Sequence, residues 1–209
     1  TANIKVAGAI KEPGFYSITE NETLEDLINR LEFIDVYPWL AILEQFDESN
    51  LIKSSTLFNL NDPNTFQSIK LLPNSKLFFS NIRARTFVAE EMTLDLIEDF
   101  KLRINHRQGT FSMPVYGKYS VSSFIDLLGL DMSDINDKAT YISPLEDIAL
   151  TDSYKNMQFN AKKYNTISFR SPINNLINVT ISGAVDYPGI YTLQSNSTLE
   201  DLYKIIGAF

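Results

Sequence analysis

The sequence predicts an α+β fold made of repeated modules, each a small mixed sheet crossed by one helix. Three observations support this prediction: a segment near the start of the chain recurs near its end, each copy joins strand-like and helical patterns, and 44% of the residues are hydrophobic. In a chain of 209 residues, that apolar content is enough for one large domain or for two small domains with separate cores.

The repeat is an ungapped pair of segments. Residues 4–31 read IKVAGAIKEPGFYSITENETLEDLINRL, and residues 179–206 read VTISGAVDYPGIYTLQSNSTLEDLYKII. The positions that agree include those that set backbone geometry, which are Gly8 and Gly183, Pro13 and Pro188, Gly14 and Gly189, Thr23 and Thr198, and Asp26 and Asp201. Agreement at such positions indicates one structural unit that is present twice.

The first half of the unit predicts a hairpin. Residues 4–10 have a strand pattern, with Gly8 at a point where a side chain would crowd a neighbour. Pro13 and Gly14 predict a type II turn, because proline fixes φ at the second position and glycine accepts the positive φ of the third. A second strand over residues 15–18 completes the hairpin.

The second half predicts a capped helix. The Thr23 side chain is placed to accept a hydrogen bond from a free amide of the first turn, and Asp26 is placed as the acid of a capping box. Leucine and isoleucine follow at helical spacing and would bury one face of the helix.

A divergent copy lies between these two. Residues 102–106 resemble the first strand and residues 109–113 the second, although the Pro-Gly pair is missing. Ser123 is predicted as the N-cap of the next helix, with Asp126 in its first turn. A helix that crosses a small mixed sheet after an N-terminal hairpin is the β-grasp arrangement.

Further strand-like runs follow the first two helices and supply the rest of each sheet; they are residues 39–45, 71–79, 140–143 and 165–169. The predicted organisation is a first β-grasp domain at residues 1–80, a connector at 81–97, a second, divergent domain at 98–171 and the N-terminal half of a third repeat at 176–209. A hairpin and helix without later strands leave an apolar face and an unpaired edge. We therefore expect the third repeat to dock on a neighbouring module or on a partner chain.

The motif GAVDYPGIYTL at residues 183–193, with TLEDL at 198–202 and IGAF at 206–209, resembles the soluble-ligand-binding β-grasp (SLBB) domain of outer-membrane polysaccharide export proteins. The first copy is similar, but has Leu-Glu-Phe at residues 31–33 where the family has glycines. The run LLPNSKLFF at residues 71–79 is similar to the closing strand of the family, with Asn-Ser in place of Gly-Asp.

The resemblance implies a periplasmic structural or transport module of a capsule or exopolysaccharide export protein, associated with the outer membrane of a Gram-negative bacterium. Its modules would form part of the wall of an export conduit. The implied partners are the polysaccharide, further copies of the full-length protein in a homo-oligomer, and an inner-membrane polysaccharide co-polymerase. We expect the chain to be a piece of a longer protein. The alternative is a stand-alone carbohydrate-binding module that acts in capsule or biofilm assembly.

Composition argues against catalysis and cofactor chemistry. The chain has no cysteine and one histidine, His106, which excludes thiol nucleophiles and zinc–thiolate sites and leaves no second histidine for a metal site or a triad. The carboxylate pairs that could in principle cleave a glycan are Glu25 with Asp26, Glu90 with Glu91, and Asp134 with Asp137. We interpret the first pair as acids that favour the dipole at a helix N-terminus and Glu90 with Glu91 as solvated charge. We expect no enzyme activity and no cofactor.

Charged and aromatic residues indicate which classes of ligand the chain could bind. The densest basic cluster comprises Arg83, Arg85, Arg103 and Arg107, but the net charge of −8 opposes nucleic-acid binding. The aromatic candidates for stacking on a sugar are Tyr37, Trp39 and Tyr187. Packing is the favoured interpretation for Trp39, and a contact between modules is the alternative for Tyr187. A conduit for a long polymer is expected to lack a tight binding site.

Overall fold

A computed structural model describes residues 2–47, 52–82, 100–133, 137–170 and 176–206. The chain divides into two compact units, residues 1–96 with 114–118 and residues 97–113 with 119–209. Within the described residues, no helix is long and apolar enough to cross a membrane. The predicted connector, apart from residues 81 and 82, and the end of the motif at residues 207–209 lie outside the described residues.

The first unit contains a five-stranded sheet and a short helix. Its elements are β1 (Ala2–Gly8), β2 (Gly14–Ile18), α1 (Leu24–Ile28), β3 (Val36–Asp47), β4 (Ile52–Phe58), a 3₁₀ turn (Pro63–Thr65) and β5 (Lys76–Asn81). The strand order is β2-β1-β5-β3-β4, in which β1 and β5 are parallel and the other neighbours are antiparallel. Leu24 and Leu27 of the helix pack with apolar side chains of the sheet in one buried core.

Residues 114–118 are also part of the first unit. The Tyr37 hydroxyl donates a hydrogen bond to the carbonyl oxygen of Pro114 at 2.6 Å. The side-chain amide of Asn59, which is fully buried, donates to the carbonyl oxygens of Tyr116 and Lys118 at 2.7 and 2.8 Å. These bonds satisfy polar groups that burial would otherwise leave without partners.

The elements that follow in the chain are β6 (Lys101–His106), β7 (Gly109–Pro114), β8 (Lys118–Ser120), α2 (Val121–Leu128), β9 (Lys138–Ser143), a 3₁₀ turn (Pro144–Glu146), β10 (Ile148–Ser153), β11 (Gln158–Asn160), β12 (Thr166–Phe169), β13 (Leu176–Ile181), β14 (Gly189–Gln194) and α3 (Leu199–Ile206). They form a five-stranded sheet of order β10-β9-β12-β6-β7 and two-stranded sheets of β8 with β11 and of β13 with β14.

The two five-stranded sheets share one plan. Read from the second strand of each module, the orders are β2-β1-β5-β3-β4 and β7-β6-β12-β9-β10. In both sheets the closing strand lies parallel to the first strand and antiparallel to the strand on its other side. The predicted α+β class, with tandem modules of a mixed sheet and a helix, is confirmed.

The connection between β1 and β2 differs from the predicted type II turn. Gly14 has a φ of +156°, far from the value of about +80° at the third position of such a turn. It pairs with Val6 as the first residue of β2. The preceding loop is held by a different neighbour, because the Lys11 amide donates to the carbonyl oxygen of Glu32 at 2.8 Å. Pro13 therefore lies in a wider loop, and the prediction of a tight turn is wrong.

Helix α2 begins earlier than predicted. Its N-cap is Ser120, which has an extended backbone, and Ser123 lies inside the first turn with its hydroxyl hydrogen-bonded to that of Ser120. Asp126 lies beyond the first turn. The Val121 amide donates to the carbonyl oxygen of Met157 at 3.1 Å. The assignment of Ser123 as N-cap is wrong because a distant carbonyl, rather than a local side chain, satisfies the start of this helix.

Candidate functional site

Gly8 lies against the backbone of the strand that closes the first module. Its φ is +93°, and a Cβ placed on it would lie 2.0 Å from the carbonyl oxygen of Phe79. The Ala9 amide donates to the same oxygen at 3.0 Å. The predicted close approach at Gly8 is confirmed. The counterpart Gly183 has a φ of +97°, but no described atom lies within 4 Å of the same Cβ position.

Helices α1 and α3 begin with the same hydrogen-bonded pair. The Thr23 hydroxyl accepts from the Asp26 amide at 3.2 Å, and the Asp26 carboxylate accepts from the Thr23 amide at 3.0 Å. Thr198 and Asp201 make the corresponding bonds at 3.2 and 2.8 Å. The side-chain and backbone hydrogen bonds from the threonines lower the pKa of both aspartates below the ordinary value, since they favour the charged form. The predicted capping boxes are confirmed.

The third repeat packs on the second module through β14. Asn105 of β6 and Ser168 of β12 are buried polar residues at this contact. The Ile190 amide donates to the Ser168 hydroxyl at 3.1 Å, and the Asn105 side-chain amide donates to the Ile190 carbonyl oxygen at 3.2 Å. Gly189 permits the approach, because a Cβ there would lie 2.8 Å from Cγ2 of Thr166. The expected docking of the third repeat on a neighbouring module is confirmed.

Arg103 of β6 reinforces this contact. Its guanidinium carbon lies 4.1 Å from the centre of the Tyr187 ring, a cation–π geometry. One guanidinium nitrogen donates to the Ile205 carbonyl oxygen at 3.0 Å and to the Tyr191 hydroxyl at 3.5 Å. Tyr187 is therefore a contact within the second unit, and Pro188 beside it is buried.

Tyr37 and Trp39 lie on β3 in the interior of the first unit. Tyr37 is fully buried, Trp39 is 6% exposed, and their ring centres are 5.3 Å apart in an edge-to-face arrangement. Burial raises the pKa of the Tyr37 hydroxyl well above its ordinary value. Neither ring offers a face to solvent, so both side chains pack in the core, as favoured for Trp39.

A groove of about 610 Å³ opens on the surface of the first unit. Ile18, Leu71 and Leu72 supply apolar wall, and polar groups at its edge include Lys70, whose ammonium donates to the Asn21 side-chain oxygen at 3.1 Å. No aromatic residue is among the described residues that line it. Its described lining therefore offers no ring on which a sugar could stack.

His106 is a buried core residue on β6. It is 3% exposed, and its Nδ1 accepts a hydrogen bond from the Gln108 amide at 3.1 Å. The ring of Phe169 meets it edge-on, with centres 5.9 Å apart. Burial is the main cause that lowers the pKa of His106 below its ordinary value.

The described residues contain no group of three or more His, Asp or Glu side chains placed to hold a metal ion. Of the carboxylates considered for glycan cleavage, Asp26 is bonded within the capping box. Glu90, Glu91 and Asp134 lie outside the described residues, as do Arg83 and Arg85 of the basic cluster. Arg107 pairs with the Asp131 carboxylate.

A comparison with known protein families identifies the same two segments as the internal repeat. A model of the SLBB domain matches residues 3–31 and 178–208, the two segments that carry the repeat. Both matched regions have the same structure, a hairpin followed by a capped helix, which is consistent with two SLBB repeats. No curated protein matches the chain.

Proposed function

We propose that this chain is a periplasmic structural and transport module of a polysaccharide export protein, and that its modules form part of the wall of an export conduit. The observation that carries the proposal is the packing of the third repeat, which matches the SLBB domain, on the neighbouring second module. In the second unit, the third repeat rests on the second module through buried and hydrogen-bonded side chains. Modules that pack directly on one another build extended surfaces, which is what a wall requires.

The burial of Tyr37 and Trp39 and the lining of the groove support a wall more than a tight carbohydrate site at these positions. Tyr37 and Trp39 are buried, and the groove of the first unit has no aromatic lining among its described residues. A polymer that moves along a conduit needs contacts that it can leave, because tight binding lengthens residence times. The proposal includes no catalytic step and no cofactor.

On this proposal, the ligand is a capsular or exopolysaccharide, the full-length protein is a homo-oligomer associated with the outer membrane, and the assembly meets an inner-membrane polysaccharide co-polymerase. The net charge of −8 supports a partner other than nucleic acid, since the phosphate backbone would be repelled.

The experiment compares the mass of the full-length protein, extracted in detergent, with that of this chain, both by light scattering. We expect a large closed oligomer for the full-length protein and a monomer or dimer for the chain. A full-length protein that stays monomeric without detergent would contradict the conduit. In that case, binding of the isolated chain to the polysaccharide, measured by calorimetry, would favour the carbohydrate-binding module instead.

A further inference from the structure

The sheet of the first unit has one face that does not pack on the helix. Ile4, Val6 and Leu77 belong to the buried core that contains the helix. Because side chains alternate along a strand, the residues between them point to the opposite face. Strand register brings six exposed or half-buried side chains together there, which we call the outer patch: Asn3, Lys5, Phe15, Ser17, Phe46 and Lys76.

Two phenylalanine rings stand at the ends of the outer patch. Phe15 on β2 is 77% exposed, and Phe46 on β3 is 42% exposed. Strands β1 and β5 lie between them, so the two residues are about 15 Å apart for strands that are spaced at about 4.8 Å. An exposed aromatic face attracts the C–H groups of a pyranose ring, because the face carries the negative part of the ring quadrupole. A chain of several sugars is needed to contact both rings.

Basic and polar groups lie between the two rings. Lys5 lies directly opposite Phe15, and Lys76 lies beside Lys5 on the parallel strand β5. Two ammonium groups in register repel each other, so an anion above them is stabilising. Asn3 and Ser17 also lie opposite each other, with the Ser17 hydroxyl donating to the Asn3 side-chain oxygen at 2.9 Å. The side-chain nitrogen of Asn3 supplies donors for a sugar hydroxyl.

The outer patch is basic, although the chain as a whole has a net charge of −8. The carboxylate in register with Lys76 is that of Glu44, which is buried and pairs with Lys53 at 2.8 Å. A local excess of positive charge concentrates anionic ligands. The anion that a sugar polymer supplies most directly is the carboxylate of a uronic acid.

The third repeat uses the same position in a different way. The counterpart of Phe15 is Ile190, which is buried where β14 packs on the second module, and the counterpart of Lys5 is Thr180. The first repeat thus has an exposed ring beside a cation where the third repeat has an aliphatic side chain in a protein contact. This difference favours a charged, ring-containing ligand over a packed module.

We propose that the outer patch is a weak binding platform for an acidic polysaccharide whose sugars carry carboxylate groups. The rings of Phe15 and Phe46 stack on sugars, and Lys5 and Lys76 pair with carboxylates between them. This assignment rests on the proposed export function and adds the chemical class of the polymer. Contacts on an open face are ones that a moving polymer can leave, as transport requires.

The experiment titrates the 209-residue chain with hexagalacturonate, an oligomer of a uronic acid, and follows the backbone amide shifts by NMR. We expect the amides of Lys5, Phe15, Phe46 and Lys76 to shift and to saturate together. The fully methyl-esterified hexasaccharide keeps the sugar rings without the charge, and it should bind at least about fivefold more weakly. A hexapeptide of glutamate keeps the charge without the sugar rings, and it should also bind at least about fivefold more weakly.

Phe15→Ala and Lys5→Gln separate the two contributions. Phe15→Ala should weaken binding of the acid and of its methyl ester about three- to tenfold. Lys5→Gln should weaken binding of the acid about two- to fivefold and leave that of the methyl ester unchanged. Ile34→Ala and Lys70→Gln are the controls, because they change an exposed apolar side chain and a lysine outside the outer patch, and both should bind as the parent does. Urea unfolding followed by Trp39 fluorescence verifies that each variant is folded.

Three outcomes would overturn the proposal. The first is the absence of saturable shifts at the outer patch with hexagalacturonate, and the second is equal affinity of the parent and Phe15→Ala. The third is a shift of the same amides that grows with protein concentration without sugar, which would show that a second copy covers the patch.

Failure of the platform and failure of the conduit give different results. A closed full-length oligomer together with a chain that binds no hexagalacturonate keeps the conduit and removes the platform. A monomeric full-length protein together with a chain that binds through Phe15 and Lys5 keeps the platform and assigns it to a carbohydrate-binding module.

Discussion

The carbonyl oxygen of Phe79 occupies the space that any side chain on Gly8 would need, 2.0 Å from the ideal Cβ position. The obstacle is backbone rather than a flexible side chain, so it moves only if β1 and β5 separate. Gly8 also has a left-handed φ of +93°. Gly8 is thus a point at which the first module depends on the absence of a side chain.

Gly8→Ala is expected to destabilise the first unit by about 3 kcal/mol or more, since backbone overlap adds to the strain of positive φ. Urea unfolding followed by Trp39 fluorescence measures this, because the chain has one tryptophan. Gly183→Ala is the control, and because Gly183 lies in the second unit its cost is measured there by hydrogen exchange of the β14 amides. It has almost the same φ but no described atom near its Cβ, so its cost in the second unit should be only about 1–2 kcal/mol. Equal costs for the two variants would refute the steric explanation.

The capping boxes were predictable from sequence because both partners lie three residues apart, and short-range geometry needs no knowledge of the rest of the fold. The close approach at Gly8 was also predictable, because a glycine inside a strand pattern indicates a position where a side chain would crowd a neighbour. The same local reasoning gave a wrong prediction at Pro13 and Gly14, where the structure has no type II turn. The loop there is fixed by a backbone hydrogen bond between Lys11 and Glu32, a partner distant in sequence.

The residues that join the third repeat to the second module could not be predicted from the sequence for the same reason, because their partners are distant along the chain. Asn105 and Ser168 are polar residues within strands, and both are hydrogen-bonded to the main chain of Ile190 where they are buried. In the sequence, Arg103 is one member of a basic cluster, whereas in the structure its partners are an aromatic ring and a helix-end carbonyl. Polar residues at core positions of an otherwise apolar strand are the signal that could have identified this contact.

Thr23→Ala is expected to raise the pKa of Asp26 towards its ordinary value, because the hydroxyl hydrogen bond is the largest cause of its depression. Loss of the cap should also reduce the stability of the first unit by about 1 kcal/mol. A carboxyl NMR titration of Asp26 and urea unfolding measure the two effects. Thr198→Ala removes the equivalent group from α3 and should leave Asp26 unchanged. If Thr23→Ala leaves the Asp26 titration unmoved, the capping interpretation is wrong.

These two carboxylates also give a direction for acid stability. The folded-state pKa of Asp26 and of Asp201 lies below the unfolded value, so their stabilisation is fully present above the unfolded pKa and is lost as pH falls through the folded pKa. We expect a decrease in the stability of both units below about pH 4. The decrease in the first unit should be smaller in Thr23→Ala, which a pH series of urea midpoints would measure.

His106 predicts a separate pH dependence at milder acidity. Its folded-state pKa is lowered by burial, so the unfolded chain binds more protons between the folded and unfolded pKa values. The stability of the second unit should therefore fall as pH drops through the unfolded pKa of about 6.5 and level off below the folded pKa. His106→Asn should abolish this slope, since Asn offers an uncharged oxygen to the Gln108 amide. The chain has one histidine, so a slope that persists between pH 7.5 and 5.5 in the variant would exclude His106 as its source.

Arg103→Ala should loosen the third repeat while leaving the five-stranded sheet of the second unit intact. The variant loses two charge-assisted hydrogen bonds and the contact with the Tyr187 ring, together about 2–4 kcal/mol. Hydrogen exchange at the amides of β14 and α3 should become faster, with little change in β6 and β12. Arg170→Ala is the matched control, because Arg170 is exposed, and its stability should stay within about 0.5 kcal/mol of the parent.

If the export proposal holds, the same two variants of the full-length protein test in cells whether the packing of the third repeat is needed for export. Arg103→Ala should lower surface polysaccharide because the wall loses a packed repeat, whereas Arg170→Ala should export normally. Equal export by the two variants, with the third repeat shown to be loosened, would mean that the packing of this repeat is not needed for transport.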